Sequence, residues 1–155
     1  MAMKSQNFTF GAHFRLVDSH GNILFADRLH QRIRRVGPGG IIQTVIGNGK
    51  QGSEGDGGLA SGAALHLPEV ITIDLEDNIY ITQRSGNGWI VRKVNAEGII
   101  THFAGNGMQG NTGDGGSAIN ISDNIPSLSA TVSNKFALEM LCCRSNISWI
   151  VRRLF

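Results

Sequence analysis

A glycine-rich loop occurs twice in this chain, and it limits the fold more than any other feature. Residues 47–58 read GNGKQGSEGDGG and residues 105–116 read GNGMQGNTGDGG, identical at nine of twelve positions. Asn48, Gln51 and Asp56 align with Asn106, Gln109 and Asp114, which an excess of glycine alone would not produce. The match runs upstream at the same spacing, Ile33-Arg34-Arg35-Val36 with Val91-Arg92-Lys93-Val94. Further back, Val17-Asp18 and Asn22-Ile23 pair with Ile73-Asp74 and Asn78-Ile79 at a slightly shorter spacing. The two-residue difference implies an insertion near residues 86–89, where a loop is expected to absorb it. A worn third copy follows. Pro126 stands to Pro68 as the second loop stands to the first, and Trp149-Ile150-Val151-Arg152-Arg153 repeats Trp89-Ile90-Val91-Arg92-Lys93 at a slightly longer spacing. The chain therefore divides into an N-terminal segment (1–13), two repeats (14–69 and 70–125) and a truncated, degenerate third (126–155). Units repeating at this period are single supersecondary elements that bury their faces against neighbours.

Within each unit the apolar runs are short and β-branched. They span 14–17, 23–26, 33–36 and 41–46 in the first unit, and 70–73, 79–82, 89–94 and 99–104 in the second. Such runs, bounded by turn residues, predict strands and not helices. Asp18-Ser19-His20-Gly21-Asn22 and Asp74-Leu75-Glu76-Asp77-Asn78 predict hairpin turns opened by Asp and closed by residues tolerant of positive φ. The glycine content, 21 of 155 residues, fits a fold with many tight turns. Four antiparallel strands per blade-sized period predict an all-β chain: an incomplete β-propeller of two four-stranded antiparallel blades plus a degenerate third blade. Trp89 and Trp149 are expected at equivalent places, opening the third strand of their blades.

Several residues taken together resemble the NHL repeat. They are Gly21-Asn22-Ile23-Leu24-Phe25-Ala26-Asp27, Gln31-Arg32-Ile33-Arg34-Arg35-Val36, the Gly-Asp-Gly-Gly loop and Leu65-His66-Leu67-Pro68. The resemblance spans roughly residues 14–154. It departs at Gln83, where the family has Asp, and at His30, where Asn is common. It implies a propeller scaffold that binds a protein or peptide, and a chain that is a fragment of a longer, typically six-bladed propeller. Some members of the family bind RNA through a basic face, and a related propeller is a histidine-metal lyase.

Composition excludes several classes. A net charge of +2 is too small to argue for nucleic acid by itself. Cys142 and Cys143 are adjacent, so they cannot staple distant segments and lack metal-ligand spacing. No apolar run near Met1 has signal-peptide length and none elsewhere reaches the ~18 residues of a membrane helix. The expectation is a cytoplasmic protein without membrane attachment.

The candidate sites are few. Gly55, Asp56, Gly57 and Gly58, with Gly113, Asp114, Gly115 and Gly116, carry one repeated Asp per loop, too few oxygens for a calcium loop. They are expected to be structural turns, with Gly supplying positive φ and Asp bonding neighbouring backbone N–H groups. Arg34, Arg35, Arg92, Lys93, Arg152 and Arg153 recur in register and would form a basic ladder able to bind anions or RNA. The competing reading packs their stems between blades while the heads reach water or a carbonyl. The five histidines (His13, His20, His30, His66, His102) do not recur between units, whereas a catalytic zinc site needs about three converging ligands. The expectation is thus no enzyme, no catalytic residue, no metal and no cofactor. The leading function is protein or peptide binding, the alternatives being RNA binding through the arginine ladder and a metal-dependent lyase. Two and a half blades leave apolar faces uncovered. A homodimer, each chain lending residues 8–10 to the other's third blade, would complete a six-bladed ring.

Overall fold

The computed structural model describes residues 15–113, 115–123, 128–133, 137–142 and 148–152. Strands β1 (Arg15–Val17), β2 (Ile23–Asp27), β3 (Arg32–Val36) and β4 (Ile42–Ile46) form the first antiparallel sheet in the order β1-β2-β3-β4. Strands β5 (Val70–Ile73), β6 (Ile79–Ser85), β7 (Gly88–Val94) and β8 (Ile100–Ala104) form the second in the same order. A two-residue ladder, β9 (Asn111–Thr112) with β10 (Ser122–Asp123), follows within the second glycine-rich segment. The third sheet has three antiparallel strands, β11 (Leu128–Ser133), β12 (Ala137–Cys142) and β13 (Ser148–Arg152). Among the described residues the helical elements are three single 3-10 turns, at Arg28–His30, Ala60–Gly62 and Ala118–Asn120. No helix there is long and apolar enough to cross a membrane. β5 lies alongside both β1 and β11, so successive sheets meet through their first strands.

The turns form for the reasons the sequence supplies. Asp18 Oδ1 accepts from the backbone N–H groups of His20 and Asn22 at 2.9 and 2.8 Å, and Asp74 Oδ1 does the same for Glu76 and Asn78 at 3.0 and 2.9 Å. Gly21 and Asp77 take the positive-φ position in the two hairpins. The insertion near residues 86–89 is accommodated differently from the expectation. Instead of enlarging a loop it lengthens the hairpin: β6 and β7 have seven residues each where β2 and β3 have five. Arg84 and Trp89 continue the ladder, and the Arg84 guanidinium stacks over the Trp89 ring at 4.9 Å. Each strand gains two residues while the connection between them shortens from four residues (28–31) to two (86–87), so the ladder extends without changing which face each side chain occupies.

Trp149 is the second residue of β13 and Trp89 the second of β7, each in the third strand of its sheet. Residues 8–10, proposed as a shared strand, lie outside the described residues.

The core is the seam between the first two sheets. Leu24, Ala26, Ile33 and Ile46 on one face of the first sheet pack with Ile71, Ile81, Val94 and Ile100 of the second, and Ala60, Ala63 and Leu65 of the connecting segment close it. Each large aliphatic side chain among them contributes roughly 1.5–3 kcal/mol by leaving water. Burial of one face of each sheet against the next is what a stacked repeat requires.

Candidate functional site at the seam between repeats

The first glycine-rich segment holds the two sheets together, and its shape is set locally. Asn48 Oδ1 accepts from the Lys50 N–H at 2.8 Å while Asn48 Nδ2 donates to the Gly62 carbonyl at 2.8 Å. Asn106 repeats both bonds, to Met108 N–H at 2.9 Å and the Asn120 carbonyl at 3.1 Å. The backbone follows suit: Gly47 to Ala60 and Gly105 to Ala118, each at 2.9 Å. This is why the asparagine recurs. Gly55 sits at φ +101°, where a Cβ would lie 2.8 Å from Ala63 Cα, and Gly113 sits at +113° with a Cβ 3.0 Å from Ile121 Cα. Only glycine allows the loop to fold this closely upon itself.

So shaped, the loop reaches the second sheet. Gly57 N–H donates to the Ile100 carbonyl at 2.8 Å, Ile100 N–H to Gly58 at 3.1 Å, and Ala60 N–H to Gly98 at 2.8 Å. Arg92 completes the attachment. Its guanidinium, with no exposed surface, donates to Asp56 Oδ1 from Nε at 3.0 Å and from Nη2 at 2.8 Å. Nη1 donates to the Ala64 carbonyl at 2.7 Å and Nη2 also to the Glu54 carbonyl at 3.3 Å. A buried cation is tolerated only when paired and hydrogen-bonded in this way. A register shift between Val91 and Arg92 brings the arginine to this point, and the same shift falls between Ile33 and Arg34 in the first sheet.

The turn reading of the loop is therefore corrected in one respect. Gly55 and Gly57 do supply positive φ, but the Asp56 carboxylate bonds the arginine of the next repeat and not its own neighbouring N–H groups. Burial between strands leaves Arg92 with unmet donors that outcompete local capping for the carboxylate. In the second loop Gly115 has positive φ and Gly116 N–H donates to the Gly113 carbonyl at 3.1 Å, as Gly58 does to Gly55 at 3.2 Å. Asp114 lies outside the described residues.

Of the six basic residues, Arg34, Arg35, Arg92 and Lys93 are not brought together into one surface. Arg92 is consumed by the seam. Arg34 donates to Thr44 Oγ1 at 2.7 Å, Arg35 on the opposite face donates to Gln43 Oε1 at 3.1 Å, and Lys93 lies over the Tyr80 ring at 5.6 Å. Arg152 is in β13 opposite Ala137, and Arg153 lies outside the described residues. The described histidines are dispersed, and His13 lies outside the described residues. His20 meets Ser19, His30 meets Asp27 at 2.6 Å, His66 meets Gln51 at 2.9 Å, and His102 meets the Gly105 carbonyl at 2.6 Å. Among the described residues no three His, Cys, Asp or Glu side chains group as metal ligands.

Two features escaped sequence reasoning. Gln83 is wholly buried beneath the loop, its Nε2 donating to the Gly52 carbonyl at 3.3 Å and to Ser53 Oγ at 3.0 Å. A carboxylate could not donate to that carbonyl, which accounts for amide and not acid at this position. The other is a cross-strand row of apolar residues, Ile73, Ile79, Val94 and Ile100, running across all four strands of the second sheet and facing the seam. Its signal was the repeat itself, since Val17, Ile23, Val36 and Ile42 occupy the same places in the first unit.

On the rim formed by the hairpin turns, Ser19 Oγ donates to Asp77 Oδ2 at 2.6 Å, linking the turns of the two sheets. Burial opposes ionisation of Asp74 and Asp18, but hydrogen bonds from Asn78 and Asn22 outweigh it and hold both carboxyls below the usual range. Burial, with the adjacent Asp74 carboxylate, pushes the Tyr80 phenol up to about 12.

No protein-family model and no curated protein matches the chain. Among solved structures it is similar to a structural genomics protein of unknown function from Bacteroides thetaiotaomicron VPI-5482, with 23% identity and a TM-score of 0.54 over 67% of this chain. The chain spans 26% of the length of that protein. The likeness is one of fold.

Proposed function

We propose that this chain is a non-catalytic scaffold of the NHL-repeat type, an incomplete propeller whose rim of hairpin turns binds a protein or peptide. The observation that carries the reading is the seam. Two units of the same topology stack face against face, and the loop of the first is clamped by Arg92 of the second, a join that each further repeat can reproduce. Such a frame holds its turns rigidly and spends its buried polar groups on structure. The rim offers what a peptide can use: exposed Leu75 and His20 beside Asp18, Asp74, Glu76 and Asp77. Its acidic character favours a partner with basic groups and an apolar anchor, and disfavours phosphate.

The test is selection of peptides from a random library against the folded chain, with the binders mapped by amide chemical shifts. Binders perturbing residues 18–22 and 74–78 are expected. A selection that yields none, or only binders on the sheet edges, would remove the reading. Filter binding to structured RNA with a steep negative salt slope would replace it with the nucleic-acid alternative.

A further inference from the structure

Three Asn-Gly pairs occur in the described chain, Asn48-Gly49, Asn87-Gly88 and Asn106-Gly107. An asparagine followed by glycine can lose its side-chain amide. The next backbone nitrogen attacks the side-chain carbonyl carbon, and glycine has no Cβ to obstruct it. The structure treats the three nucleophiles differently. Gly88 is buried and its N–H donates to the Gly107 carbonyl at 2.8 Å. Gly107 is buried too, packed so that a Cβ would lie 2.8 Å from Ser85 Oγ. Gly49 is half-buried and follows an exposed Asn48, and its N–H makes no hydrogen bond among the described residues.

Two contacts favour reaction at Asn48. Lys50 N–H donates to Asn48 Oδ1 at 2.8 Å, the atom on which negative charge develops when the carbonyl carbon is attacked. A donor already in place there stabilises that charge. Asn106 has the same bond, from Met108 N–H at 2.9 Å, so this contact does not distinguish the two. Arg32 does. Its Nη2 donates to the Asn48 backbone carbonyl at 3.4 Å, and a Cβ on Gly49 would collide with the same nitrogen. The guanidinium therefore rests against the Asn48–Gly49 peptide, where a cation favours the deprotonated, nucleophilic form of the N–H. At the matching place in the second repeat stands Ile90, buried and uncharged.

We infer that Asn48 is a site of spontaneous deamidation promoted by Arg32, and that the reaction loosens the seam. Hydroxide removes the Gly49 amide proton. The nitrogen bonds to Asn48 Cγ, the Cγ–Nδ2 bond breaks, and Nδ2 leaves as ammonia with a proton from water. Water then opens the cyclic imide at either carbonyl, giving aspartate or, with one more carbon in the backbone, isoaspartate. Either product loses the donor that Nδ2 presents to the Gly62 carbonyl at 2.8 Å and sets a carboxylate beside that oxygen. Isoaspartate also displaces the backbone whose Gly47 and Asn48 N–H groups bond the Ala60 and Ala63 carbonyls. The loop that carries Asp56 to Arg92 is thereby freed at its root. The site lies in the loop and not on the rim of hairpin turns, so it stands or falls separately from peptide binding.

Peptide mapping of the full folded chain, aged in mildly alkaline buffer, tests it by following the conversion of each asparagine. Asn48 is expected to react about tenfold faster than Asn87 and Asn106, the factor supplied by about one unit of electrostatic help to the nucleophile. Arg32→Gln is expected to remove most of that difference with an unchanged thermal transition, because Arg32 makes one long bond to an exposed loop carbonyl. High salt, which screens the guanidinium, is expected to slow Asn48 in the unaltered chain as well. In urea the three sites are expected to react alike, since only the fold distinguishes them. The aged chain is expected to unfold at a lower temperature, as is Asn48→Asp. Equal rates in the folded chain overturn the inference, as do an unchanged Asn48 rate in both Arg32→Gln and high salt, or a selectivity that survives urea. An aged chain with an unaltered thermal transition overturns the loosening of the seam.

Discussion

The first and second sheets carry matching rows of β-branched residues and matching arginines, but only the second has a neighbour on the receiving face among the described residues. There Arg92 makes four hydrogen bonds and disappears from solvent. In the first sheet Arg34 folds back onto Thr44 of its own sheet. Matching local sequence thus leads to a fully buried, ion-paired arginine in one place and a half-buried arginine bonded within its own sheet in the other. The difference teaches that residues of this repeat acquire their role from the unit before them. A buried arginine is stable only because the preceding loop delivers Asp56 and two carbonyls to it.

The comparison breaks most readily at the arginines. Arg92→Ala should lower unfolding free energy by about 3–5 kcal/mol, since it empties the seam of a charged hydrogen-bond cluster. Arg34→Ala should stay within about 0.5 kcal/mol. Urea denaturation of both variants checks this, and equal losses would show that the two faces are energetically alike. The apolar rows give the next largest contrast. Ile100→Ala should cost about 3 kcal/mol, whereas Ile42→Ala, half out of water already, should cost less than about 1 kcal/mol.

The loop supplies a smaller effect. Gly55→Ala combines positive φ with a collision against the Ala63 backbone and should cost about 1–3 kcal/mol. Gly57→Ala has positive φ but open space, and about 1 kcal/mol is expected. Thermal transitions of the pair would sharpen the loop's share of the seam, and a Gly57 variant the less stable of the two would contradict the close approach at Gly55.

The smallest effects belong to pH. Asp18 and Asp74 have folded pKa values below their unfolded ones, so their contribution is present above about pH 4 and fades as pH falls through the folded values. Tyr80 has the opposite sign. Its folded value is raised to about 12, so its contribution holds below about pH 10 and is lost as pH rises through the folded value. Urea midpoints from pH 3 to 11 should show Asp74→Asn flattening the acid limb and Tyr80→Phe flattening the alkaline one; unchanged limbs would count against these contacts.

Much of the fold was legible because it is written locally. Short β-branched runs placed eight strands to within a few residues, and Asp18, Asp74, Gly21 and Asp77 are turn residues for reasons that involve only their neighbours. The insertion was located correctly by the change of spacing. Whether it would swell a loop or lengthen a hairpin depended on cross-strand pairing of Arg84 with Trp89, which no local pattern states. The candidate site was less legible. Asp56 and Arg92 were each singled out, but as separate features, a turn and a rung. Their pairing joins residues far apart in the chain and exists only once one sheet has stacked on another.

By itself, then, the sequence determined the repeat, the strands, their turns and the glycines that allow the loop to close, because these follow from side-chain period and backbone preference within a few residues. The tertiary structure alone decided which arginine is buried, which apolar row forms the core and which is left facing solvent. Those outcomes depend on whether a neighbouring unit is present to displace water from a face, and burial is a property of the stack and not of the residues that enter it.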